Sequence, residues 1–295
     1  MLALPNARSH ALFLAFWLLS VAVLWSPLRA LVALSLADNE YSHLVLIPIL
    51  AAGLTFWDRR AIFRAAAPDL KLGIPLAAAA LAAGWALAAR SGLTLFAVAA
   101  LCAWTAGFLL CYGLPSLRSA RFPLLILLLM VPVPPALMAR LVAALQAGSA
   151  EVAYRLFRLC GVPLFREGVH IELPRIGVEI ARECSSIHSG VALFITALLV
   201  GHFLLRSLPA KLLLSLSTLP IAVFTNGVRV VTLWFLATRV DVGFMTGDLH
   251  KRGGALFSML SLAVLLLFVY GLRALERRTH RIGVATCPIA PVPSS

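Results

Sequence analysis

Cys184 lies in the polar run Glu179-Ile180-Ala181-Arg182-Glu183-Cys184-Ser185-Ser186-Ile187-His188, which opens directly into an apolar stretch. A thiol of ordinary pKa, about 8.5, is mostly protonated at neutral pH; nearby cations or a helix N-terminus convert it to thiolate. Ser185 and Ser186 are helix-capping residue types, so the run predicts a helix start with Cys184 at its positive end. Two further polar groups border apolar stretches: Arg229 in Asn226-Gly227-Val228-Arg229, and His250 in Gly247-Asp248-Leu249-His250. Together these types suit acyl transfer. A thiolate attacks a peptide carbonyl to form an acyl-thioester, a positioned donor protonates the leaving amine, and a guanidinium or imidazole stabilises the oxyanion.

Arg229 sits well inside its apolar stretch, where an ionisable group is costly and tends to face a polar cavity. Asn226, one helical turn earlier on the same face, is placed to orient the guanidinium or bind a substrate carbonyl. His188, at i+4 from Cys184, competes with His250 for the imidazole role, and composition does not choose between them. Arg182 beside the cysteine, and Tyr41 and His43 in Glu40-Tyr41-Ser42-His43, are read as lining the site. Plainer roles stand beside these: a structural cysteine at a helix start, an arginine paired with a carboxylate, an interfacial histidine.

The elements that must position these groups are membrane helices. The chain has 295 residues, 61% hydrophobic and only 13% charged, with mean hydropathy +0.97; this composition marks an all-α polytopic membrane protein. The net charge of +13 is read as anchoring of helix ends, and nucleic acid is excluded as a partner, because no basic helix or aromatic platform stands outside the apolar stretches. The five cysteines, Cys102, Cys111, Cys160, Cys184 and Cys287, form no disulfide framework: their number is odd and two share one span. No pair has metal-ligand spacing, so no metal or cofactor is expected.

Eight spans are expected, near 10–34, 43–57, 72–89, 93–114, 121–138, 189–205, 210–236 and 254–272. The first is read as a retained helix, with a kink at Ser26-Pro27, rather than a cleaved signal. Pro132, Pro134 and Pro135 end the fifth early. Eight crossings put both termini on one side. Arg8, Arg59, Arg60, Arg64, Lys71, Arg118, Arg121, Arg206, Lys211, Arg273, Arg277, Arg278 and Arg281 then share that side, which makes it cytoplasmic. The protein is therefore expected in the cytoplasmic (inner) membrane with the site extracytoplasmic. One longer outside segment, about 140–188, holds an amphipathic helix over Leu137–Leu159 and, from Pro163 to Pro174, an alternating pattern that predicts a short hairpin. Residues 1–282 are read as one domain, and 283–295, rich in Pro and Ser, as a disordered tail.

In these features the chain resembles the exosortase/archaeosortase family of membrane cysteine transpeptidases. The resemblance runs from about Asp38 to Leu260. It is carried by Asp38 to Pro48, Met130-Val131-Pro132-Val133-Pro134, Leu145-Gln146, Arg166-Glu167-Gly168, Glu179-Ile180-Ala181, Cys184-Ser185-Ser186-Ile187, Asn226-Gly227-Val228-Arg229 and His250. It implies processing of secreted proteins that end in a sorting signal made of a short motif, a hydrophobic helix and a basic cluster. By position it makes Cys184 the acyl-thioester nucleophile, Arg229 the proton donor and His250 the transition-state stabiliser. The family usually carries Gly two residues after the cysteine and Arg four after it; Ser186 and His188 stand there instead. That departure bears on which signal is read and on whether His188 shares the basic role.

Two other classes fit a polytopic chain. A transporter or channel would use Arg229 and His250 to bind an anionic solute, but neither inverted repeats nor paired broken helices are visible. A non-enzymatic scaffold for envelope assembly would be indifferent to the loss of Cys184.

Overall fold

A computed structural model describes residues 7–88, 92–174, 176–180, 187–241 and 254–285. The chain divides into two compact units, Met1–Leu137 and Met138–Ser295.

The first unit begins with α1 (Ala7–Val23) and α2 (Trp25–Ala37), which meet at an 81° bend. Pro27 explains the break: it has no N–H for the Val23 carbonyl and its ring crowds that carbonyl. A 3-10 turn at Asn39–Tyr41 leads to α3 (Leu46–Trp57), the short α4 (Arg59–Ile62), α5 (Leu70–Ala88) and α6 (Leu93–Ser119). Near its end α6 is interrupted at Gly113, whose φ of 77° is left-handed. A Cβ there would overlap the Ala67 carbonyl oxygen, so only glycine fits. Next, α7 (Arg121–Leu127) continues through a 3-10 turn to Met130. In the extended stretch after it, Pro132 and Pro134 have no N–H to donate. Its carbonyls are instead bound by side chains: Thr94 Oγ1 donates to Pro132 O at 2.9 Å and Tyr41 Oη to Val133 O at 2.9 Å.

The second unit contains most of α8 (Pro135–Leu159), then three short strands, β1 (Phe165–Glu167), β2 (His170–Glu172) and β3 (Val178–Glu179), and finally α9 (Ile187–Leu204), α10 (Leu208–Arg239) and α11 (Gly254–Ala285, the last described helix). The strands form one antiparallel sheet in the order β1-β2-β3, with Arg166 opposite Ile171 and Ile171 opposite Val178. The β1–β2 turn uses Gly168 at φ 61°. The sheet is sealed onto α8 and α10 by a cluster of Ala150, Ala153, Phe157, Ile171, Leu173, Ile180, Val230, Val231 and Trp234. Burial of such side chains is the main stabilising term, about 25 cal/mol per Å² of apolar area. Outside that cluster Glu151 bridges Arg155, at 2.7 Å, and Arg166. At the other end of α10, Ser207 caps the helix by accepting from Ala210 N, and Glu276 of α11 accepts from Arg206 N, Ser207 N and Ser207 Oγ.

Among the described residues seven helices are long and apolar enough to cross a membrane, and eight when the bent α1–α2 pair counts as one crossing. Large apolar side chains on the helix surfaces, such as Leu36, Trp57 and Leu267, are exposed, as a lipid-facing surface requires. The all-α polytopic class and the short hairpin are therefore as expected. The membership of the spans differs at one point. The 121–138 stretch is only a ten-residue apolar helix, Arg121–Met130, whereas Pro135–Leu159 meets the length and hydropathy of a span. The prolines at 132, 134 and 135 cause this, ending one helix and seating Pro135 at the first position of the next. Along α8, Met138, Val142, Ser149, Ala150, Ala153 and Phe157 are buried at helical spacing, which is the one-sided pattern read from the sequence.

Candidate functional site

The turn of α10 from Ala222 to Val231 is enclosed from several directions. At 100° per residue, Ala222, Thr225, Asn226 and Arg229 share one face, and Val223, Gly227, Val230 and Trp234 share another. The second face meets α8 and the sheet. A Cβ at Gly148 would lie 3.1 Å from Val223 Cγ1, and a Cβ at Gly227 would lie 2.7 Å from Val152 Cβ and 3.2 Å from Ala153 N. Glycine is favoured at that spot because the Val152 side chain of α8, with the Ala153 N–H behind it, fills the place a side chain would take. Small residues that let helix backbones touch are the usual basis of association in a membrane.

The first face meets α9 and α11. A Cβ at Gly190 would be 3.7 Å from Ala222 Cβ, and Thr225 Oγ1 and Ser261 Oγ are hydrogen-bonded at 2.7 Å in a buried position. Both helices run antiparallel to α10, since Gly201 lies against Leu214 and Lys211 and Glu276 against Ser207. Consequently α9 and α11 both begin at the end of α10 that carries Arg229, on the face that Arg229 shares. By rise alone, about 1.5 Å per residue, the Arg229 backbone lies about 6 Å beyond the level of the first residue of α9.

The individual site residues fall as follows. Arg229 is half-buried and Asn226 is buried, at 2% exposure. His188 is exposed in the first turn of α9. Tyr41 and His43 belong to the first unit. Tyr41 is 6% exposed with its hydroxyl donated to Val133, which gives it an anchoring contact, and half-buried His43 caps α3 through its carbonyl, which accepts from Leu46 N and Ile47 N. Cys184, Arg182 and His250 lie outside the described residues. The chain that leads to Cys184 is well held on both sides. Before it, Ile180 donates to Val169 O at 3.1 Å and accepts from Gln146 Nε2 at 2.8 Å, while Trp234 Nε1 donates to Ile176 O at 3.0 Å. After it, α9 starts at Ile187. Sequence reasoning noted Gln146 only as part of the resemblance; the signal for it was an amide on the apolar stripe of α8. The Thr225–Ser261 bond was not foreseen, because it joins positions 36 residues apart.

Among the described residues no group of three or more His, Cys, Asp or Glu side chains is arranged to hold a metal. No curated protein and no solved structure was found to match the chain. A family model described as transmembrane exosortase matches residues 33–269, a stretch that runs through both units and includes positions 184, 226, 229 and 250. With most of its length covered by that match, on a multi-helix membrane fold, the chain belongs to the transmembrane exosortase family.

Proposed function

We propose that the protein is a cysteine-type peptidase and transpeptidase that cleaves C-terminal sorting signals from secreted proteins, the signal being a short motif, a hydrophobic helix and a basic cluster. Cys184 is its nucleophile, Arg229 its proton donor and His250 the group that stabilises the tetrahedral oxyanion. His188, Asn226 and Arg182 line the substrate path. The observation that carries this reading is the arrangement around α10: the helix entered from the Cys184 segment and the helix entered from the His250 segment both start at the end, and on the face, where Arg229 stands. Covalent length adds to it. Cys184 is three residues from Ile187, so at most about 3.6 Å per residue keeps it within roughly 11 Å of the α9 start. The positive end of that helix and a guanidinium both favour a thiolate.

In the first step Cys184 Sγ bonds to the scissile carbonyl carbon, the C–N bond breaks, and the amine leaves with a proton delivered from Arg229. Water or an amine then attacks the thioester and gives up a proton that restores the Arg229 guanidinium, and the thiolate departs. The family match spans both units, which supports reading residues 1–282 as one working domain. We place the protein in the inner membrane, termini cytoplasmic and site extracytoplasmic, on the distribution of basic residues.

The test is expression of wild-type and Cys184→Ala chains with a secreted reporter that ends in a candidate signal. Uncleaved, membrane-held reporter should accumulate with Cys184→Ala and with Arg229→Ala. Arg229→Lys should rescue poorly, because an ammonium does not reproduce the guanidinium fork. Normal cleavage in the Cys184→Ala strain would end the proposal.

A further inference from the structure

Ile180 is the last described residue before the segment that carries Cys184. Its side chain is 1% exposed, inside the cluster that joins the sheet to α8 and α10. Among the described residues, pairing with β2 runs as far as Glu179. The Ile180 N–H still reaches Val169 O, but the Ile180 carbonyl belongs to the next peptide unit, the first of the following segment. That carbonyl is held by Gln146 Nε2 at 2.8 Å.

Gln146 stands at i+4 from Val142 and i+8 from Met138, on the stripe that α8 buries. An amide there replaces an apolar side chain and is costly unless hydrogen-bonded. Packing does not ask for it. Glutamine has the reach and the donor to bind a carbonyl one layer away, and the orientation of the 180–181 peptide sets the direction in which the chain departs. A misplacement of about 1 Å at a reacting group costs on the order of a hundredfold in rate; control of direction four residues upstream is therefore control of rate.

We infer that Gln146 is a positioning residue for the nucleophile, aiming the Cys184 segment through its hydrogen bond to the Ile180 carbonyl. This deepens the cysteine peptidase reading and rests on it. The donor is what matters: Gln146→Ala removes it, and Gln146→Glu replaces it with a carboxylate that cannot donate until it is protonated.

The experiment uses the full chain in detergent or vesicles and alkylation by iodoacetamide, followed peptide by peptide with mass spectrometry across pH. Cys160, exposed and at the end of α8, is the internal reference. In the wild type, Cys184 should alkylate faster than Cys160 at neutral pH. In Gln146→Ala the Cys184 rate should fall about tenfold as its segment loses the fixed course, with the Cys160 rate unchanged. For Gln146→Glu the rate relative to wild type should climb as pH drops from about 8 to about 5, where the carboxyl regains a proton. That ratio is internally controlled and serves even if the alanine variant folds poorly. An unchanged Cys184 rate in Gln146→Ala, or a flat ratio in Gln146→Glu, overturns the inference while leaving the nucleophile in place. If wild-type Cys184 reacts no faster than Cys160, the nucleophile reading and the inference fall together.

Discussion

Gly227→Ala tests the packing that holds Arg229. A methyl at position 227 would stand 2.7 Å from Val152 Cβ and 3.2 Å from Ala153 N, against about 3.5–4.0 Å for a relaxed contact. Relief requires about 1 Å of separation between α8 and α10. Part of the obstacle is backbone, so no rotamer change removes it. Overpacking of this kind costs about 1–3 kcal/mol. For a chain of this size each kcal/mol is worth roughly 2–4 °C, so the apparent melting midpoint of the detergent-purified protein should fall by roughly 2–12 °C. Val152→Ala removes the valine methyls but keeps its Cβ, so the double variant should recover part of the loss, with a coupling of about 0.5–3 kcal/mol. Reporter cleavage well below the midpoint should drop by on the order of a hundredfold, because the helix shift is passed to Arg229 two residues on. A Gly227→Ala protein that melts with the wild type, or strict additivity with Val152→Ala, would refute the close approach and the reasoning built on it.

Three more outcomes follow from other contacts. Ser261→Ala and Thr225→Val both remove the buried bond between α10 and α11, and their double-mutant cycle should return about 0.6 kcal/mol, up to ~1.7, the range found between membrane helices; a coupling of zero would mean that the bond does not hold the pair. Glu276→Ala leaves Arg206 N, Ser207 N and Ser207 Oγ without their carboxylate, a loss of about 0.5–2 kcal/mol by analogy with helix caps, and the penalty should shrink in high salt. Gly113→Ala forces a left-handed φ of 77° on a residue with a Cβ and drives that atom into the Ala67 carbonyl; the yield of monodisperse protein should collapse, and a normal yield would contradict the kink.

Much of the fold was legible because lipid imposes coarse rules. Apolar length announces a span, and proline announces where a helix stops: Pro27 ends α1 at Val23, and Pro132, Pro134 and Pro135 separate α7 from α8. The alternation from Pro163 to Pro174 was enough for the hairpin, since one face of a two-residue period had to be buried, and Ile171 is. Length alone misjudged 121–138, where prolines cut a span to one short helix, and undervalued 135–159, whose arginines and glutamate mask its apolar stripe. Contacts between helices were not legible at all. The seating of Gly227 against Val152, the Thr225–Ser261 bond and the Tyr41–Val133 bond are long-range, and in a membrane they depend on small residues and shape rather than on any periodicity. Tyr41 shows the consequence: a polar residue near a span end was read as facing substrate, whereas its hydroxyl binds a carbonyl left without a partner by neighbouring prolines.

The same contacts explain why an arginine can be kept half-buried on a membrane helix. A guanidinium facing lipid would cost several kcal/mol and would be driven to the surface by helix rotation. Rotation of α10 is blocked: Gly227 is seated against Val152 and Ala153 of α8, Trp234 is bonded to Ile176 O, and Thr225 is bonded to Ser261. With rotation locked by groups on either side of it along the helix, Arg229 stays on the face shared with Ala222, Thr225 and Asn226, where α9 and α11 begin. An arginine kept only for topology would need none of this and would tolerate a turn of the helix. Moving the basic residue to position 228 or 232 should therefore preserve insertion and abolish reporter cleavage, as read by membrane-fraction yield and by the fraction of uncleaved reporter. Retained cleavage with the arginine at either new position would show that its face on α10 does not matter.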